Sequence, residues 1–324
     1  MKRKTSILLT AWIAVLLAAG CAAPPPPAAS EAPLQVVATT SIVADIVQQI
    51  GGERVQVTTL LPLGSDPHAY EPAPQDIARV SEAALVFASG AGLEEFLERL
   101  IANAGAQERL VQVSEGIQLK DFGVEKHAEE EKKEGEEHAE EEGEEHAYES
   151  GDPHTWVDPH NVKVWVENIR ARLSEIDPAG ADLYQANAAR YLTELDELDG
   201  WIREQIAQIP AENRKIVTDH QVFGYFAERY GLQQVGAIIP GYSTAAAPSA
   251  QEVAAIEDAI RALGVRAVFV GETIAPALAQ RVAEDTGVQL VFVYHGSLSA
   301  PDGPAATYLD YMRYNVNAMV AALK

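Results

Sequence analysis

Short apolar runs alternate with stretches of helical periodicity along most of this chain. Leu34–Ala38 reads as a strand, and Thr40 or Ser41 is placed to cap a helix that continues to Ile50. Val55–Leu61 is a second strand. A helix from Pro74 leads to strand Ala84–Ala88, then come a helix over Leu93–Ala102 and strand Leu110–Val113. The chain is helical from Pro159 to Ile176, where Asp177-Pro178 interrupts it. A second helix runs from Ala181 to Ile209, and Pro210 stops it. That helix would be ~43 Å long, enough to leave one lobe and enter another. The alternation then resumes: strand Lys215–Thr218, helix Phe223–Tyr230, strand Gln233–Ile238, helix Ser249–Leu263, strand Ala267–Val270, helix Pro276–Thr286, strand Gln289–Val293 and a last helix from Pro304. The pattern predicts an α/β protein of two lobes, 34–177 and 210–324, each with a mostly parallel sheet flanked by helices. One long bridging helix within 178–209 joins them.

Two segments fall outside this rhythm. Residues 120–151 carry no buriable apolar face. Glu-Glu-His-Ala recurs at 136–139 and 144–147, and His127-Ala128-Glu129-Glu130 echoes it. A solvated insertion is expected there. At the start, Lys2, Arg3 and Lys4 precede the apolar stretch Ile7–Ala19, which is short for a membrane span and ends in small residues. Residues 1–20 read as a signal peptide. Cys21, the only cysteine, follows Leu17-Ala18-Ala19-Gly20. This resembles a bacterial lipobox, although the leucine stands one place early. Cys21 is therefore the expected lipid anchor, and the Pro/Ala-rich 21–33 the expected tether. The localisation expected is extracytoplasmic and membrane-anchored, at the cell surface or in the periplasm.

Charge narrows the possible partners. The formal net charge of -24 disfavours nucleic acid. Much of it is local, because residues 125–149 hold 13 Glu against 3 Lys.

Candidate chemistry lies in the eight histidines. His127, His138 and His146 lie in the acidic insertion, and His160 opens a helix. The other four follow the carboxyl ends of predicted strands, where open α/β sheets collect ligands. His68 and His154 each sit in an Asp-Pro-His turn, Asp66-Pro67-His68 and Asp152-Pro153-His154. His220 follows Lys215–Thr218, and His295 follows Gln289–Val293. With two from each lobe, a cleft between the lobes could gather all four. Imidazole suits zinc and is also used by manganese, iron and copper, while the lack of a nearby Cys or Met disfavours copper(I). Asp66, Glu71, Asp152, Asp158 and Asp219 are candidates to orient the rings.

Asp66-Pro67-His68-Ala69-Tyr70-Glu71-Pro72, Asp152-Pro153-His154-Thr155-Trp156-Val157-Asp158-Pro159 and His220-Gln221-Val222-Phe223-Gly224-Tyr225-Phe226 resemble the ligand motifs of the metal-specific solute-binding proteins of ABC importers, the TroA-like family. The resemblance runs from Leu34 to the C-terminus. It implies that His68, His154 and His220 are metal ligands and that the cargo is delivered to a permease in the cytoplasmic membrane. Manganese binders of the family commonly have glutamate at the place of His220, so the resemblance implies zinc before manganese or iron(II). A His-rich acidic loop is a further habit of the zinc importers, which would make His127, His138 and His146 auxiliary weak ligands. Many members carry an aspartate where this chain has Gly296. His295 is the candidate fourth ligand, with a water or Glu272 as alternatives. Glu272 also reads as a structural acid receiving backbone N–H groups.

A monomer without enzymatic activity is expected. The remote alternative is a secreted zinc hydrolase, which would need Glu71 or Glu272 as general base. The chain contains no His-Glu-x-x-His motif and no nucleophile elbow. Cell adhesion and transport are not exclusive, and the sequence does not separate them.

Overall fold

The structure is a computed structural model that describes residues 32–121, 151–244, 247–271 and 277–324. Cys21, His127, His138, His146 and Glu272 lie outside those residues. The first lobe contains β1 (Leu34–Ala38), α1 (Ser41–Gly51), β2 (Val55–Thr59), α2 (Pro74–Glu82), β3 (Leu85–Ala88), α3 (Leu97–Ala104) and β4 (Leu110–Gln112). All its strand pairs are parallel, in the order β2-β1-β3-β4. After α4 (Pro159–Ile176) and α5 (Ala181–Ile206), the second lobe contains β5 (Lys215–Thr218), α6 (Gly224–Tyr230), β6 (Gln233–Ala237), α7 (Ala250–Leu263), β7 (Ala267–Val270), α8 (Ala277–Thr286), β8 (Gln289–Phe292) and α9 (Tyr308–Leu323). Its sheet is also parallel, in the order β6-β5-β7-β8. The two sheets therefore share one winding, and each reverses direction beside its first strand. Such a reversal leaves a crevice at the carboxyl edge of the sheet. The wholly buried strands Leu85–Ala88 and Ala267–Val270 are continuous apolar runs because helices cover both faces.

The two-lobed α/β architecture with its long helix matches the expectation, while several boundaries move. α3 starts at Leu97 rather than Leu93. The buried Glu94 carboxylate accepts hydrogen bonds from Ser89 N (2.8 Å), Gly90 N (3.0 Å) and Thr39 Oγ1 (2.5 Å), which holds 89–96 in a turn. Gly90, Ala91 and Gly92 are all left-handed there. α9 starts at Tyr308, where Thr307 accepts from Asp310 N (3.2 Å) and caps it. α5 ends at Ile206 because 207–209 tighten into a turn before Pro210.

α5 has 26 residues and is ~39 Å long. Its buried positions Tyr184, Ala188, Tyr191, Leu195, Leu198, Ile202 and Ile206 recur every three or four residues, which makes one apolar stripe. That stripe packs against α1 and α4 in the first half of the molecule and against α9 and α6 in the second. The two lobes consequently share one continuous apolar core. At the start of the helix, Arg54 grips Asp177 through two bonds (2.6 and 2.8 Å), and Tyr184 Oη donates to the same carboxylate (2.6 Å). Leu195→Ala, at a position with 0% exposure, is expected to cost about 2–5 kcal/mol in urea unfolding. Because the core is shared, a single transition should survive; separate unfolding of the two lobes would contradict this packing.

Candidate metal centre

The same local device holds three histidines. In each Asp-Pro-His turn the aspartate accepts the histidine's own backbone N–H: His68 N donates to Asp66 Oδ1 (3.0 Å) and His154 N to Asp152 Oδ1 (2.9 Å). His220 N donates in the same way to its predecessor, Asp219 Oδ1 (2.7 Å). The turns follow β2, β4 and β5, so they open at the carboxyl edges of both sheets. All three imidazoles are buried, at 5%, 1% and 2% exposure.

Their Nε2 atoms converge. His68 Nε2 and His220 Nε2 each lie 3.2 Å from His154 Nε2. Two donors on a tetrahedral zinc stand about 3.3–3.4 Å apart, given Zn–N near 2.0–2.1 Å. The cavity between the rings measures about 10 Å³ and also touches Trp156, His295 and Gly296. It has room for little more than a single ion or water.

Carboxylates set the direction of two of the rings. Asp219 Oδ1 lies 2.8 Å from His220 Nδ1, and Asp152 Oδ1 lies 2.7 Å from His154 Nδ1. Burial pushes the Asp219 carboxyl up, but the neighbouring His295 and the hydrogen bonds from His220 and His295 outweigh it and hold Asp219 well below its ordinary value. A carboxylate there makes His220 Nδ1 the donor and aims Nε2 at the cavity. Burial drives Asp152 well up and His154 well down. Asp152 Oδ1 accepts from both the backbone N–H of His154 and its Nδ1, which turns Nε2 toward the cavity. His68 is pushed down to about 3 by burial, then by His220 and His295, and its Nδ1 is buried without a partner.

His295 stands one step back. Its ring lies 4.9 Å from that of His220, and its Nε2 is 2.9 Å from Asp219 Oδ2. Its potential ligand atoms group with those of Asp219 and His220, whereas His68, His154 and His220 form a separate group. The structure thus gathers three of the four histidines into one cluster and sets the fourth behind it. Of the acids expected to orient rings, Asp152 and Asp219 do so. Asp66 holds the His68 backbone, Asp158 caps α4 by accepting from His160 N, and Glu71 is exposed. His160 is exposed at the start of α4.

Sequence reasoning missed the rim. Tyr242, Ser243 and Thr244 are consecutive hydroxyl residues of the second lobe. They donate to three carboxylates of the first: Tyr242 to Asp121 (3.0 Å), Ser243 to Glu95 (3.1 Å) and Thr244 to Asp66. On the other side, Ser297 Oγ accepts from Gly64 N (3.0 Å), and Ser41 Oγ accepts from Leu298 N (2.9 Å). Both rims therefore span the cleft. The run of hydroxyls after Gly241 was the available signal.

Residues 36–322 match the family model described as ZnuA, zinc-uptake complex component A, periplasmic. The chain is 34% identical to the manganese-binding lipoprotein MntA of Halalkalibacterium halodurans, over 96% of each chain. It is 29% identical to the manganese ABC transporter substrate-binding lipoprotein PsaA of Streptococcus mitis, over 99% of each. Among solved structures, the Mn-bound periplasmic metal binding protein of Candidatus Liberibacter asiaticus matches with TM-score 0.74 at 26% identity, covering 90% of this chain and all of that one. The periplasmic zinc binding protein TroA of Treponema pallidum shares the fold, with TM-score 0.78 at 24% identity, over 90% of this chain and 99% of that one. The match over nearly the whole described chain places it in the ZnuA/TroA family: it is a substrate-binding component of a metal ABC transporter and not an enzyme.

Proposed function

We propose that this protein captures a divalent transition-metal ion between its lobes, on His68, His154 and His220, and delivers it to the permease of its importer. The observation that carries the reading is the convergence of three imidazole Nε2 atoms, those of His68 and His220 each 3.2 Å from that of His154, in a cavity sized for one ion. Neutral, buried and pre-oriented imidazoles are what a borderline cation requires. Relatives named as lipoproteins support a membrane-anchored, extracytoplasmic carrier, with Cys21 as the lipid-bearing residue and 21–33 as tether. No helix among the described residues is long and apolar enough to cross a membrane.

The identity of the ion has two readings. The names of the relatives favour manganese over the zinc expected from sequence. The donors favour zinc, because the cluster His68, His154 and His220, which holds no carboxylate among the described residues, suits zinc better than manganese. Equilibrium affinity does not separate the two readings, since an imidazole site binds zinc above manganese whichever ion is the cargo. Transport does separate them.

Three outcomes test the proposal. His154→Ala should weaken binding of either ion by at least about a hundredfold in chelator competition, since removal even of groups behind the ligands costs 10–100-fold. Unchanged affinity would remove the site. Zinc should displace manganese from the wild-type protein, and cellular uptake of the cargo ion alone should fall with His220→Ala. A selective fall in manganese accumulation assigns manganese, and a selective fall in zinc assigns zinc. The third outcome concerns pH. His68 and His154 take up protons more readily in the unfolded chain than in the fold. Their contribution to stability is therefore complete above the ordinary histidine pKa of about 6.5 and is lost as pH falls towards the depressed folded value. The melting temperature of the metal-free protein should drop between pH 7 and about 5, and less steeply in His68→Asn; equal slopes would contradict it.

A further inference from the structure

We infer that His295 is a positioning residue for the metal-binding triad and not one of its ligands: through the Asp219 carboxylate it fixes the tautomer and direction of His220, leaving the fourth coordination place to a different donor. This rests on the reading that the triad binds metal.

Asp219 is the link. One oxygen, Oδ1, accepts from His220 N and Nδ1 (2.7 and 2.8 Å). The other, Oδ2, accepts from Gly271 N (2.7 Å) and His295 Nε2 (2.9 Å). Four donors on two oxygens fix the plane of the carboxylate, and with it the axis along which His220 Nδ1–H must point. The imidazole Nε2 opposite that bond is the atom aimed at His154. A carboxylate behind a ligating imidazole also raises the basicity of the ring.

The surroundings of His295 are built for that role. Its backbone oxygen accepts from Trp156 Nε1 (2.8 Å) and Tyr311 Oη (3.2 Å). Trp156 follows His154 by two residues, so the ring's anchor comes from the opposite ligand loop. Gly271 is the other accommodation, since a Cβ at that position would stand 1.8 Å from His295 Nε2. The ring occupies space that any other residue at 271 would fill. It is 2% exposed, and the nitrogen that faces the site's carboxylate is already engaged. Topology fits the assignment as well. His295 follows the last strand of its sheet, as His154 does in the other, but the direct ligand position in the second lobe is taken by His220 after the first strand.

X-ray absorption at the zinc edge, zinc affinity by chelator competition and ¹⁵N NMR of the histidine tautomers test this on the full chain. Wild type should show three imidazoles on zinc. His295→Ala should keep three, weaken zinc by about 10–100-fold, and let His220 populate both tautomers in the metal-free protein. His295→Gln, whose amide can still donate to Asp219, should restore most of the affinity and the single tautomer. Should the alanine variant fail to fold, Asp219→Asn is read in the same way. Four imidazoles in the wild type, or one fewer in either His295 variant, would make His295 a ligand and overturn the inference. Unchanged affinity and tautomer in His295→Ala would overturn it too. Failure of the wild-type protein to bind zinc or manganese at all would instead defeat the functional reading beneath it.

Discussion

Three imidazole nitrogens gathered in a buried cavity, two of them 3.2 Å from the third, repel one another unless something positive sits among them. That constraint organises the rest of the molecule. Each ring must be kept neutral, aimed inward and prevented from retreating. At His68 and His154 burial favours the neutral ring and depresses both values. The Asp-Pro-His and Asp-His turns supply aim, by tying each histidine's own N–H to an adjacent carboxylate. Prevention of retreat is a property of the whole fold, because two rings belong to one lobe and one to the other.

The bridging helix provides that property. A strip of apolar side chains on α5 runs into both halves of the core, so the lobes cannot swing widely without exposing Tyr191, Leu195 or Leu198. At ~25 cal/mol per Å², exposing even one such side chain costs on the order of 1.5–3 kcal/mol. Small tilts remain available, and they are governed by the polar rims. Tyr242, Ser243 and Thr244 on one side, and the Ser41–Ser297–Gly64 contacts on the other, are hydroxyl bonds that water can replace at small net cost. A stiff apolar hinge with weak polar edges suits a carrier that must both enclose an ion and surrender it.

The α/β winding and the long helix were legible because continuous buried strands and the i, i+3, i+4 stripe of α5 write themselves into hydrophobicity. The turn at Ser89–Phe96 was not legible. There Glu94 looks like an ordinary helix residue, and only its folded bonds to Thr39 and to the Ser89 and Gly90 backbone show otherwise. The histidine positions were readable from their turns and strand ends, and the family resemblance sharpened them. The ranking among the four was not. That His295 Nε2 engages Asp219 depends on the register between β7 and β8 and on the space left by Gly271, and neither leaves a local signature.

The choice between ions turns on the same detail. On the proposed triad, His220 stands where manganese binders of the family commonly have glutamate, so that place offers an imidazole instead of a direct anionic donor. Asp219 returns that charge one imidazole further away, held as a carboxylate by its own donors. A cation in the cavity therefore meets borderline imidazole nitrogens first and a negative charge second. For a hard ion such as manganese, charge at the second distance is poor compensation for a lost oxygen ligand. For zinc, an imidazole made more basic from behind is a gain. The relatives' names and the donors of this chain thus point to different ions, and the carboxylate that stands behind His220 is what gives that residue its character.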